Sequence, residues 1–194
     1  MQQSKSIILA IVLLTGSLLQ GCAAVIVGGA ATTASVAHDR RTAGVIVEDQ
    51  SIELKAMERL GSDDYLNEHS KISVTSYNMV LLLTGQAETD ALRAKAEQTV
   101  KSVERVRRVV NELEIGTAAS IGERTRDSAL TTEVKFKLTS VDLPDFDTLR
   151  VKVVTERGVV FLMGLLTQAE GDAVTDLVRH ISGVRRVVRV FEYI

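Results

Sequence analysis

One pentapeptide occurs twice in this chain: Val106-Arg107-Arg108-Val109-Val110 returns as Val184-Arg185-Arg186-Val187-Val188, 78 residues later. A repeat at such a spacing constrains the fold before any single element does, because each copy is one structural unit. The same offset lays Asp49, Ile52, Ala56 and Leu60 over Asp127, Leu130, Val134 and Leu138. An offset of 79 lays Ile72-x-Val74 over Val151-x-Val153, and Val80-Leu81-Leu82-Leu83-x-Gly85 over Val159-Val160-Phe161-Leu162-x-Gly164. Two units of about 70 residues follow.

Each unit begins with apolar residues four apart, the spacing of an amphipathic helix, behind an aspartate (Asp49 or Asp127) that suits an N-cap. Two β-rich runs come next, joined by a turn: Glu156-Arg157-Gly158 in the second unit, where glycine accepts positive φ, and Tyr77-Asn78-Met79 in the first, where asparagine is the next best residue. A second helix aligns Ala96, Val100 and Val103 with Val174, Val178 and Ile181, and a last β-rich run (106–115 or 184–194) closes the unit. The order α-β-β-α-β predicts an α+β fold, two tandem small domains, each a three-stranded sheet packed by two helices. Boundaries fall at 45–116 and 124–194, with residues 117–123 as a linker flexible in composition. The domains are thus expected as neighbours that need not be rigidly fixed.

The N-terminal segment sets the compartment. Lys5 precedes an apolar run from Ile7 to Leu14, and Thr15, Gly16, Ser17 and Gln20 interrupt it short of the roughly 20 residues a spanning helix needs. Residues 1–21 read as a secretory signal. Leu19-Gln20-Gly21-Cys22 resembles a bacterial lipobox, whose cysteine is diacylated and becomes the new N-terminus; ordinary cleavage leaving a bare thiol is the alternative. Cys22 is the only cysteine in the chain. More than one acyl chain there gives stable anchoring, and with Ala23 after the cysteine, in place of aspartate, the lipoprotein resemblance implies sorting to the inner leaflet of the outer membrane, facing the periplasm. Residues 22–44 read as the lipidated N-terminus and tether, with a short helix over 23–37 as the other reading. The charged cluster His38-Asp39-Arg40-Arg41 ends that tether.

Val-x-Val, a turn, Val-x-Leu-x-Gly and a helix ending in Val-x-x-Val together resemble the BON domain, a module of bacterial periplasmic and outer-membrane proteins. The second unit is the closer match, with its turn glycine in Thr155-Glu156-Arg157-Gly158-Val159 and its helix-terminating glycine in Ser182-Gly183-Val184. In the first unit Asn78 or Met79, and Glu104 or Arg105, stand at those glycines. Lipobox, tether and two BON units resemble the layout of dual-BON outer-membrane lipoproteins. That resemblance implies a non-enzymatic protein, palmitoylated at Cys22, that binds anionic phospholipid through its second domain, supports envelope integrity and associates with division sites.

The repeat also acts as an internal control, since residues needed only for folding should match across the units. Residues 45–116 hold 9 Lys/Arg against 13 Asp/Glu, whereas 124–194 hold 11 against 10. A surface meeting anionic headgroups gains from basic residues, so the second unit is the better lipid partner. Phe136 has Glu58 as its counterpart; the fold does not require an aromatic there. On a helical wheel Phe136 lies about 160° from Val134 and Leu138, beside Ala129, Thr125 and Thr132. Arg126 and Lys137 flank it on one side and Lys135 on the other, with Arg124 one turn earlier, the composition of an interfacial helix. The expected lipid-binding set is Phe136, Ala129, Thr132, Arg126, Lys135 and Lys137. A second reading stays open: Phe136 packs against the first domain, the linker, or the loop Leu143-Pro144-Asp145-Phe146.

Other chemistry has little support. His38, His69 and His180 are scattered, no pair has metal-ligand spacing, and no nucleophile elbow or phosphate loop is present, so neither catalysis, a metal nor a cofactor is expected. A near-neutral chain with seven aromatics gives no footprint for nucleic acid, despite the repeated arginine pairs; at least one arginine of each pair is expected to be solvated or salt-bridged. The competing class is an adaptor that holds envelope or division proteins without recognising lipid.

Overall fold

A computed structural model describes residues 39–194, and the stretch His38–Ile194 forms one compact unit. Cys22, the signal segment and most of the tether lie outside the described residues. The first domain runs α1 (Ala43–Gly61), a short α2 (Asp64–Glu68), β1 (Ser70–Tyr77), β2 (Val80–Ala87), α3 (Asp90–Lys101), β3 (Arg108–Asn111) and a two-residue β4 (Glu114–Ile115). The second runs α4 (Ile121–Leu138), a 3-10 turn (Thr148–Arg150), β5 (Val151–Glu156), β6 (Val159–Leu166), α5 (Gln168–Arg179) and β7 (Arg186–Tyr193). The α-β-β-α-β order holds in both, with α2 and β4 as additions in the first.

Each sheet places its second strand in the centre. β1 pairs antiparallel with β2, and β2 pairs parallel with β3 and β4; β5, β6 and β7 repeat that arrangement. A parallel neighbour cannot be reached by a tight turn, and α3 and α5 supply the crossovers. The antiparallel hairpins close through two-residue turns with both residues at positive φ, Asn78 and Met79 (51° and 62°) or Arg157 and Gly158 (48° and 73°). That is the type I′ geometry that matches strand twist.

The aspartates expected as N-caps do something else. Thr42 caps α1, and Ser120 caps α4 in a reciprocal capping box with Glu123. Asp49 and Asp127 are buried mid-helix and reach the hairpin turns. Asp127 accepts from the backbone N–H groups of Arg157 (2.7 Å) and Gly158 (2.8 Å). Asp49 accepts from those of Asn78 (2.8 Å) and Met79 (2.7 Å), and also from the Ser76 hydroxyl (2.7 Å). Each aspartate thus satisfies the tight turn's exposed donors and ties the first helix to the sheet, which is why it recurs in both copies.

The pleat divides the central strands between two cores. Leu81 and Leu83 join Ile52, Ala56, Leu60, Ala96 and Val100 under the first domain's helices. Val160 and Leu162 join Leu130, Val134, Leu138, Val174 and Val178 under the second's. The alternate residues Val80, Leu82, Val159, Phe161 and Met163, with Tyr77 and Val190, form a third cluster between the two sheets. The domains therefore stack sheet to sheet, helices outside. Both faces of β2 and β6 are covered, and near-continuous apolar runs are the sequence form of such strands.

Polar contacts fix the same interface. Arg107 pairs with Glu192 (3.0 Å), Arg186 with Glu112 (3.1 Å) and Lys152 with Glu53 (2.9 Å). The repeated arginine pairs thus each contribute one ion pair across the domain boundary. Gln86 donates to Glu156 (2.6 Å), and Asn78 donates to Glu192 (2.6 Å). The charged cluster before α1 acts as a strap. Arg40 binds Glu170 of the second domain (2.6 Å) and the carbonyl of Leu165 (3.1 Å). Its neighbour Arg41 binds Asp49 of the first (2.7 Å), with its guanidinium 3.7 Å from the centre of the Tyr77 ring. The unit contains all three of its cores within itself, so a fragment of residues 38–194 carries what it needs to fold.

Candidate functional site

Helix α4 buries Asp127, Leu130, Val134 and Leu138, which turns the opposite face to solvent. Phe136 is 72% exposed, and the packing of Phe136 on the first domain, the linker or the 143–146 loop does not occur. From that loop Phe146 packs onto the second core instead. Ala129, Thr132, Arg126, Lys135 and Lys137 are all exposed as well. The structure thus gathers the six residues on one helix, with Phe136, Thr132 and Ala129 along the crest and the cations on its flanks.

The sequence reading missed one member of this crest. Ile121 is 76% exposed and opens the row Ile121, Thr125, Ala129, Thr132, Phe136, whose spacings of three and four keep it on one face. Composition places it in the 117–123 linker, although Ser120 with Glu123 three residues later is the pattern of a helix start. The row spans about 22 Å at 1.5 Å per residue.

Among the described residues, Arg124, Arg126, Lys135 and Lys137 form no ion pair, whereas Arg107, Arg157, Arg186 and Arg189 each reach a carboxylate. Thr125 and Thr132 return their hydroxyls to the carbonyls of Ile121 and Ser128, at 2.9 and 3.0 Å. The crest therefore offers methyl groups with its polar atoms already satisfied. Glu123 is held below the ordinary carboxylate range by the Ser120 hydroxyl and is committed to the cap. Glu133 is the acidic residue that stands on the Arg126 flank.

A groove of about 460 Å³ opens beside α4, between it, the β5–β6 turn and the loop after α5, lined by Arg126, Ala129, Leu130, Glu133, Gly158, Gly183 and Arg185 among others. No group of three or more His, Cys, Asp or Glu residues among the described ones has metal-holding geometry, and no described helix is long and apolar enough to cross a membrane.

Stacked α-β-β-α-β units with matched helix-to-turn aspartates define a tandem BON-domain protein. Residues 48–117 and 126–194 match the BON domain, and the chain belongs to that family. It is 38% identical to the outer membrane lipoprotein DolP of Haemophilus influenzae, over 96% of this chain and 95% of that protein. It is 35% identical to the 21 kDa hemolysin of Actinobacillus pleuropneumoniae, over 80% and 79% of the two chains. With the osmotically-inducible protein Y of Escherichia coli it shares 31% identity over 74% and 72%.

Proposed function

We propose that this protein is an outer-membrane lipoprotein held in the inner leaflet through acylated Cys22, and that its second BON domain binds anionic phospholipid through α4. The observation that carries the reading is a 72% exposed phenylalanine among cations that form no ion pair among the described residues. Phe136, with Ala129 and Thr132, enters the headgroup boundary while Arg126, Lys135 and Lys137 meet phosphates. Near-complete alignment with an outer membrane lipoprotein supports the anchor and compartment. Support for envelope integrity and association with division sites belong to the same reading, on the resemblance to dual-BON outer-membrane lipoproteins. No catalytic step belongs to this reading.

Flotation of residues 38–194 with vesicles tests it. The fragment should float with anionic vesicles, lose affinity as salt is added, and stay in solution with neutral ones. Phe136→Glu should abolish flotation while leaving thermal unfolding nearly unchanged. A wild-type fragment that never floats would instead favour the protein-binding adaptor, with Glu-rich domain one as its docking surface.

A further inference from the structure

The groove beside α4 has a counterpart in the first domain, and the counterpart is bridged. There Arg105 reaches Glu48 (3.5 Å), and Lys55 reaches Glu104 (3.4 Å). Both ion pairs run between α1 and the loop after α3. At the equivalent positions of the second domain stand Gly183 opposite Arg126, and Ser182 opposite Glu133. Met79, which packs onto the first core, is replaced by Gly158. One side chain of each bridging pair has been shortened or removed, and the groove stands open.

Its lining holds three arginines and three carboxylates. Arg126 stands where the first domain has Glu48, faces Gly183 in place of Arg105, and forms no ion pair among the described residues. Arg185 makes a hydrogen bond to the carbonyl of Arg157 (3.1 Å) and has no carboxylate among the described residues. Arg157, also in the lining, donates to the Thr117 carbonyl (2.7 Å) and lies 3.6 Å from Glu114, while its buried Nε, 3.7 Å from Glu123, has no hydrogen-bond partner. Of the three carboxylates in the lining, Asp127 is used by the turn and Glu123 by the helix cap, leaving Glu133 alone. Ala129 and Leu130 give the groove an apolar wall continuous with the crest of α4.

We propose that this groove is a headgroup site, in which the phosphate of an anionic phospholipid sits between Arg126 and Arg185 while its glyceryl and first acyl carbons lie along Ala129 and Leu130. The proposal rests on the membrane reading of α4 and gives it a specific phosphate pocket. Paired guanidinium groups are suited to phosphate oxygens, and a pocket of this size accommodates a headgroup. Gly183, at φ 89°, keeps the entrance free. A side chain is tolerated at that φ, because Arg105 adopts 65° at the matching position.

The test is amide NMR of residues 38–194 titrated with dihexanoyl phosphatidylglycerol below its micelle concentration, and separately with inorganic phosphate. The lipid should shift the amides of Gly158, Gly183 and Arg185. The double variant Arg126→Glu, Gly183→Arg grafts the first domain's ion pair across the groove and should weaken lipid binding about tenfold or more, the scale of a lost charged hydrogen bond. Arg185→Gln should weaken it similarly without rebuilding the loop, and Glu133→Gln should tighten it two- to threefold, roughly the effect of removing one exposed like charge. Unchanged binding in the double variant and in Arg185→Gln would overturn the groove, as would inorganic phosphate bound as tightly as the lipid, which marks a plain anion site. Flotation of the wild type separates the two levels: a fragment that floats but shows no groove shifts overturns only the pocket, and one that shows groove shifts but never floats overturns only the membrane reading.

Discussion

The two BON domains share a core and differ on their outer surfaces. Both bury an aspartate under a type I′ turn, both split a central strand between two cores, and both cross over through a helix. Outside, α1 exposes Val47, Leu54 and Met57 with Glu58 where α4 has Phe136, and its neighbouring groove is laced by two ion pairs. On α4 the aromatic is added, the cations form no ion pair among the described residues, and the groove is open. The difference teaches that the core is what the repeat preserves, and that the aromatic and open groove of α4 are not required by it.

The largest effect should come from the shared part. Asp49→Ala strands the turn donors and the Ser76 hydroxyl and takes one of two carboxylates from Arg41, which keeps Asp39 (2.7 Å), and should cost about 3–5 kcal/mol, the range for breaking a buried charged pair. Asp127→Ala leaves two backbone donors and should cost about 2–3 kcal/mol. Urea unfolding measures both; equal costs would show that Arg41 and Ser76 add nothing. Next in size is the exchange Glu58→Phe with Phe136→Glu, which moves the aromatic to the more acidic domain. Vesicle affinity should fall at least tenfold, about 1.4 kcal/mol, and recovery of wild-type affinity would erase the distinction between the faces.

A pH scan sharpens the comparison where the domains are strapped together. Glu170 pays a desolvation cost that would raise its pKa, but Arg40 and Thr167 overcome it and hold it at about 2, below its usual 4.5. Because the folded value is the lower one, its stabilisation is complete above about pH 4.5 and is lost as pH falls toward 2. Stability of the wild type should decline through that window more steeply than that of Glu170→Gln. Parallel curves would remove the strap from the account. A small effect is expected from Gly158→Ala, which places a Cβ at φ 73°, 3.0 Å from the Gly183 carbonyl; urea unfolding should show a destabilisation of about 1 kcal/mol, the scale for a side chain in left-handed backbone.

Much of this was legible in the sequence because the repeat doubled every weak signal. Ile52, Ala56 and Leu60 could be trusted as a buried stripe once Leu130, Val134 and Leu138 repeated them. Phe136 could be read as outward for the same reason. The aspartates misled because an aspartate ahead of an apolar stripe is ordinarily a cap, and only the folded hairpin shows which N–H groups it meets. Sheet-to-sheet stacking had a signal, the unbroken Val80-Leu81-Leu82-Leu83 and Val159-Val160-Phe161-Leu162-Met163 runs, which period-two reasoning about a half-buried strand passes over. Contacts such as Arg107 with Glu192, or Arg40 with Glu170, join residues far apart in the chain and carry no local pattern. The groove escaped because it is made by what Ser182 and Gly183 lack.

The central claim is that Phe136 meets lipid. The chain contains no tryptophan, so Phe136→Trp in residues 38–194 supplies a single reporter at the crest of α4. With anionic vesicles its emission should shift to the blue and become shielded from a water-soluble quencher, while Leu54→Trp on α1 should show neither change. A tryptophan at 136 that stays fully quenchable on a fragment that has floated would contradict the account.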